Sequence, residues 1–510
     1  MTDLPDLTAC DREPIHIPGS IQPHGVLVVV DAQTRAILQV SENAADVLGA
    51  APDAMLDAPF DDVITLPADL FDNDLRPAHS AWVPVTFPNA TDNATWYACV
   101  HAYDTRWMIE IEPRAADFEE SPLRVGRDLA RSLESDSSVE RAAARVARTV
   151  RTLLGYDRVM VYRFDHDWHG EVVAEARKED LEAYLGLHYP STDIPVQARA
   201  LYLRNRVRQI SDCRYIPSRI LPAYDPETAA ATDLSDVSLR SVSPVHLEYL
   251  GNMGVTGTLV ASIITHGKLW GLISCHHYSP FFADHCMREA ADAIARAFAS
   301  RVTAIEELAK IESESVLLTV REKLITAFNE RDRIDPELLA SLAPELLEVV
   351  DADGIALFAG NRVLRYGQLP DEAALLRIRD HVSDGATQSL HRKQDADAVT
   401  SILHTDEIGA LHPELADAAV ASLAAGIIFM PLRSGPGEEL AILWTRAEQV
   451  RDVRWGGNPT LAKLEIYPGA RLSPRQSFDT WQENVRGRSR PWSPLHIDSA
   501  RSLRALILAM

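Results

Sequence analysis

The chain opens polar and irregular, and its first strong apolar run is Gly25-Val26-Leu27-Val28-Val29-Val30-Asp31. A β-branched run closed by a turn residue predicts a strand. A second strand is expected over 36–40, followed by a helix that Ser41 could cap, running to Leu48 and stopped by Gly49. Further strands are expected near 82–86, 95–101 and 107–112. Small strands with one or two helices predict a compact α+β sensor domain ending near residue 118.

The next block predicts a helix over 139–154 and a strand over 158–164. Its strongest strand pair is 257–264 with 269–276, joined by Thr265-His266-Gly267-Lys268. Val260, Ser262 and Ile264 alternate with their neighbours, and Gly267 suits a hairpin turn. A long helix is then expected from about Asp284. Ile294, Phe298, Val302, Ile305, Leu308 and Ile311 recur at spacings of three and four, and neither Pro nor Gly interrupts before Pro336. A helix of about 45 residues is too long for one compact domain. It fits a connector whose apolar stripe pairs with a second copy or is buried within the chain.

A third block repeats the second in outline. Residues 346–358 have the helix-turn-strand layout of 153–162, and 426–432 with 440–444 mirror the earlier hairpin. Tandem domains of one fold follow. The segment 453–494 is different: Phe478, Trp481 and Val485 sit at helical spacing in a polar stretch with turn signals at Gly456-Gly457 and Pro468-Gly469. Its period is ambiguous between helix and strand. A long, weakly specified loop carrying aromatics points to function. A last helix is expected over 497–510, without a cap, as if the natural chain continued.

Composition narrows the classes. At 510 residues the length predicts about three or four domains. Fifty basic residues against 74 acidic ones argue against general nucleic-acid binding and against docking on anionic membranes. No apolar run approaches the roughly 20 residues that span a bilayer, and the acidic start does not resemble a signal peptide. The five cysteines, Cys10, Cys99, Cys213, Cys275 and Cys286, form no CxxC pair, and an odd number of free thiols suits a cytoplasmic setting.

Several polar residues converge on the second block. Asp193-Ile194-Pro195 enters a helix expected over 196–204, and Asp193 alone reads as a helix-entry carboxylate. His246 and Tyr249 fall three apart on one helical face. Adjacent His276 and His277 point to opposite faces of a strand and make a weak metal site. Arg208 and Arg240 suit a carboxylate-bearing ligand through paired hydrogen bonds, or surface ion pairs. No GxSxG, HExxH or P-loop motif occurs. Cys10 stands in an irregular leader, where a thiol can reach a pocket built by other parts of the chain.

Five segments then carry a resemblance in family order. They are Cys10 with Pro14-Ile15-His16-Ile17-Pro18-Gly19-Ser20-Ile21-Gln22-Pro23-His24-Gly25; Tyr189-Pro190-Ser191-Thr192-Asp193-Ile194-Pro195; Leu239-Arg240-Ser241-Val242-Ser243-Pro244 running into His246; Trp270 to His277; and Pro474-Arg475-Gln476-Ser477-Phe478 with Trp481 and Arg490-Pro491-Trp492. Together these resemble bacterial phytochromes across essentially the whole chain. The resemblance implies an α+β chain of three tandem sensor domains: a PAS domain with the attachment segment (1–118), a GAF domain (119–312) and a GAF-like PHY domain (313–510). It also implies a leader threaded through a GAF loop as a knot, and a PHY hairpin, the tongue, near 453–494.

The family ligand is a linear tetrapyrrole. By the resemblance, Arg208 and Arg240 hold its propionates with Ser243, Thr256 and Thr258 nearby. Asp193 and His246 hold the proton shared by its inner rings, and His276 bonds the last ring. Tyr162, Tyr189 and Tyr249 surround that ring, and Ile194 and Tyr202 complete the pocket. Arg475 pairs with Asp193 in one state and Ser477 replaces it in the other. Relatives that attach their pigment just before the residue matching His246 carry a cysteine there; this chain has Val245, which leaves Cys10 as the thioether site and biliverdin IXα as the cofactor. The other cysteines read as structural thiols.

The implied function is red/far-red photoreception, without catalysis by this module. Signals would pass along the helices to an output domain such as a histidine kinase beyond Met510, with a response regulator as a further partner. A homodimer through the GAF and PHY helices is expected, with no nucleic acid or membrane partner. Some relatives that rest in the far-red-absorbing state carry Gln where Leu187 stands, so a red-absorbing ground state is expected. Two rivals remain: a GAF-type module that binds a cyclic nucleotide, and a zinc hydrolase using His246, His276 and His277. The first leaves Cys10 and Arg475 unexplained, and the second lacks any metal-ligand spacing.

Overall fold

A computed structural model describes residues 12–67, 81–87, 95–114, 118, 120–331, 334–392, 402–433, 440–459, 463–465, 472–474 and 477–509. Cys10 and Arg475 lie outside the described residues. The chain divides into two compact units, one made of 1–305 with 454–481 and the other of 306–453 with 482–510.

In the first unit, the apolar run of the leader domain forms the strand Val26–Asp31, every residue of which is buried. Val26, Val28 and Val30 enter one core with Ile109 and Ile111. Leu27 and Val29 enter another with Ile21, Leu234, Val237 and Leu239. Both faces are covered, which is why the run shows no alternation. Helix Ala44–Leu48 is stopped by Gly49 in the left-handed conformation. Its expected Ser41 cap falls in the preceding strand, Ile37–Ser41.

The leader strand Ser20–Ile21 pairs antiparallel with Ser218–Leu221, which in turn pairs with Ile37–Ser41. On its other side Gln22 donates its amide to the Leu239 carbonyl, and Ser241 donates to the Ser20 carbonyl. Residues 20–22 are thereby held by two separate stretches of the following domain.

That domain is built on an antiparallel sheet in the order 207–210, 257–265, 268–277, 158–164, 170–177. Helix Val139–Leu154 begins where the Ser138 side chain accepts from the Arg141 amide and ends at left-handed Gly155. It buries Ala142, Ala143, Val146, Ala147, Val150 and Leu154 on one face. The central hairpin turns through His266 and Gly267, both at positive φ, as a two-residue primed turn requires. Along Gly257–Thr265, Leu259, Ala261 and Ile263 enter the core with that helix, while Thr258 and Val260 face a cavity.

The second unit repeats this plan. Its sheet runs 403–405, 426–433, 440–446, 354–359, 362–367, all antiparallel. Hairpin and first strand occupy the same places in this order as in the first unit, as the internal repeat predicts. Ile355 and Leu357 enter one core and Ala356 and Phe358 another, so this strand is also covered on both faces. Trp444 donates its indole N–H to the Leu346 carbonyl at 2.9 Å.

Helix His285–Arg331 is 47 residues long and contributes to both units. The final helix starts at Pro494, three residues earlier than expected, because Ser493 and His496 form a reciprocal capping box. The ambiguous segment contains strands Arg451–Gly456, Lys463–Glu465, Leu472–Pro474 and Thr480–Val485. Among the described residues no helix is long and apolar enough to cross a membrane, and none group as a metal site.

Candidate functional site

A cavity with an empty volume of about 1140 Å³, including its open mouth, lies in the first unit. It is walled by the stretch 193–210, the loop 240–243, the helix Pro244–Asn252 and the strand carrying Thr258 and Val260. Asp193, Ile194, Tyr202, Arg208, Arg240, Ser243, His246, Tyr249 and Thr258 all line it. Residues remote in sequence thus line one cavity.

Asp193 closes a short 3-10 turn just before Pro195, which caps helix Val196–Arg204. Its carboxylate accepts the Tyr249 hydroxyl at 3.0 Å. Tyr249 and His246 lie one turn apart on their helix with rings stacked, centroids 6.1 Å apart. The Ser243 hydroxyl caps that helix by accepting from the Val245 amide, and donates to the Glu13 carboxylate at 2.8 Å. Burial, reinforced by the Arg208 charge, lowers His246 to about 4, so its imidazole is neutral at physiological pH.

The two arginines differ. Arg208 donates to the carbonyls of Val237, Ser238 and Arg240, which ties it to the loop. Arg240 is buried and its Nη1 has no hydrogen-bond partner among the described residues. Burial and the neighbouring Arg208 charge bring Arg240 down to about 9. A buried guanidinium with an open donor is costly unless a ligand supplies an anion.

Four expected residues are not lining residues. Tyr162 and Tyr189 have ring centroids 6.1 Å apart in an apolar cluster against which Ile194, Tyr202 and Val260 pack. His276 is the cross-strand partner of cavity-lining Thr258. Its Nδ1 has no partner among the described residues, and burial lowers it to about 3. Thr256 is occupied through its backbone, accepting from Cys213 and donating to His277. His277 turns to Ser279 and stacks on Phe281, so the two adjacent histidines do diverge. The Ser477 hydroxyl donates to Asp479.

The structure adds residues that the sequence reading passed over. Glu13, Ile15, Leu201 and Ser241 line the cavity. Arg454 and Trp455 pair in parallel with Leu187 and His188, and the Trp455 ring meets His169 and His188 edge-on. Phe478 meets Tyr249 edge-on at 5.0 Å. Strand Leu472–Pro474 lies against helix Pro244–Asn252. Trp455 stood beside a double glycine that reads only as a turn. Cys99, Cys213 and Cys275 are buried and Cys286 is partly buried, and none of the four is in a disulfide.

Two like-folded sheets, a leader domain and a built pocket are the plan of a tandem sensory protein. Family models match in that order: a PAS fold over 10–114, a GAF domain over 138–302 and a phytochrome region over 317–510. The chain is 56% identical over 508 residues to a bacteriophytochrome of Xanthomonas campestris pv. campestris (strain 8004), covering 99% of this chain and 79% of the relative. It is 36% identical to a bacteriophytochrome of Pseudomonas aeruginosa, covering 99% of this chain and 67% of the relative. Among solved structures, a bacteriophytochrome from the photosynthetic bacterium R. palustris superposes with a TM-score of 0.81 at 33% identity, over 98% of both chains. The photosensory core module of Stigmatella aurantiaca phytochrome does so at 0.79 and 34% identity, over 98% of this chain and 97% of the other. The chain belongs to the phytochrome family, as a bacteriophytochrome photosensory core with PAS, GAF and PHY domains.

Proposed function

We propose that the chain is a red/far-red photosensor that binds biliverdin IXα as a thioether on Cys10. The observation that carries the reading is Arg240, a buried guanidinium in the cavity wall whose Nη1 has no hydrogen-bond partner among the described residues. An elongated ligand bearing carboxylates suits that guanidinium and the apolar wall of Ile194, Leu201 and Val260. When bound, biliverdin supplies red-light absorption and an isomerisable double bond.

The protein's own groups then have distinct tasks. Arg240 and Arg208 would hold the two propionates, with Ser243, Thr256 and Thr258 nearby. The Asp193 carbonyl and neutral His246 would retain a shared proton that a buried cation would otherwise lose. Tyr162, Tyr189, Tyr249 and His276 would enclose one end of the ligand. Arg475 would pair with Asp193 in one state and Ser477 in the other, while the tongue, 453–494, exchanges hairpin for helix. The docking of Trp455 and Phe478 beside Leu187–Tyr189 and Tyr249 supports a tongue that senses the pocket. The two-sided hold on residues 20–22 supports a leader threaded as a knot.

On this reading the domains divide as 1–118, 119–312 and 313–510. The cytoplasmic protein forms a homodimer through its GAF and PHY helices, and a further output domain and a response regulator receive the signal. Its ground state absorbs red light. Mixing the purified chain with biliverdin tests the core claim: a red/far-red photoreversible spectrum is expected, and colour without photoconversion would sink it. Cys10→Ser should leave a pigment that denaturant strips away.

A further inference from the structure

Among buried titratable groups outside the pocket, one pair touches the pocket's frame. Glu110 lies on the PAS strand Arg106–Pro113 and is fully buried. One carboxylate oxygen meets His101 Nε2 at 2.5 Å, and the other accepts the Leu239 amide at 2.7 Å. Leu239 immediately precedes Arg240. The same short turn is gripped on its carbonyl side by Arg208, through Ser238 and Arg240, and by the Gln22 amide on the Leu239 carbonyl. The turn therefore has its amide side fixed by the PAS domain and its carbonyl side fixed by the GAF strand and the leader.

We infer that Glu110, held by His101, is a positioning residue that sets the turn 237–240 and so aims Arg240 at the carboxylate of a ligand. The inference rests on the proposed bilin-binding function. Burial alone would neutralise Glu110, yet its carboxyl stays below the usual range because His101 and the amides of Ser238 and Leu239 more than offset it. The acceptor is thus charged, and a charge-assisted bond to a backbone amide is among the stronger ways to fix a turn.

The test uses Cys10→Ser, which keeps binding reversible, and compares biliverdin with its dimethyl ester by tryptophan quenching. In that background Glu110→Gln should weaken the free acid about tenfold and leave the ester within about twofold. Hydrogen exchange should rise at the Leu239 amide. His101→Gln, which leaves the carboxylate without its countercharge, should give a smaller loss of the same acid-selective kind and carries the test if Glu110→Gln does not fold. Equal weakening of acid and ester, or no change in either, overturns the inference. An unchanged Leu239 exchange rate overturns it too. If the Cys10→Ser chain binds neither ligand, the bilin reading fails instead, and the exchange arm alone still reports on the clamp.

Discussion

The Tyr249 hydroxyl and the Asp193 carboxylate are hydrogen-bonded at 3.0 Å across the cavity, and Phe478 covers the same tyrosine ring edge-on at 5.0 Å. One residue thus reads both the pocket acid and the segment that docks on it. Tyr249→Phe should lower unfolding free energy by about 1 kcal/mol in urea titrations. Phe478→Ala should instead raise hydrogen exchange across 454–481 and leave the midpoint of the rest nearly unchanged.

Gly456 is a steric requirement. A Cβ there would meet the Tyr189 ring at 2.6 Å, far inside contact distance. Gly456→Ala should cost roughly 1–3 kcal/mol of docking or stability, seen as faster proteolysis within 454–481. Adding Tyr189→Leu should restore part of the protection by clearing the space.

If Arg240 holds a ligand carboxylate as proposed, it trades stability for binding. Without an anion its buried charge is a burden, so Arg240→Met should stabilise the ligand-free chain by about 1 kcal/mol by thermal melting. The same change should weaken biliverdin binding at least tenfold. A variant that lost stability and kept affinity would contradict the assigned role.

The buried histidines predict an acid limit. His24, His246 and His276 are lowered by burial to about 3, 4 and 3. Folded, they stay neutral where the unfolded chain takes up protons near 6.5. Their stabilisation is therefore present above about pH 6.5 and is lost as pH falls towards 4. Each contributes up to about 1.4 kcal/mol per pH unit in that window. His276→Gln should flatten the stability-pH profile of the ligand-free chain between pH 6 and 4.5 by about that slope, measured by denaturant titration.

Legibility in the sequence followed local physics. Helix 139–154 was readable because periodicity, a capping serine and a terminal glycine agree. The final helix was misplaced by three residues because Pro494 reads as a breaker, and because His496 fills the place that Glu or Gln takes in a capping box. The run 26–31 announced a strand but not its second covered face, which depends on Leu234 and Leu239 more than 200 residues away. The pocket residues were found through the family pattern. That pattern does not say that Arg208 is bound to loop carbonyls while Arg240 keeps an open donor. Glu13, Trp455 and Glu110 act through contacts that no local period encodes.

The clamped leader has a kinetic consequence. Glu13 lines the cavity and is bonded to Ser243, and Cys10 is three residues upstream, within about 11 Å of chain. A thiol so tethered reacts as if present at millimolar concentration or above. On the proposed reading of Cys10 as the attachment thiol, attachment would be a unimolecular step that follows binding. How long the ligand stays in the pocket would then decide what fraction of it becomes attached, and competing thiols in solution would have little effect.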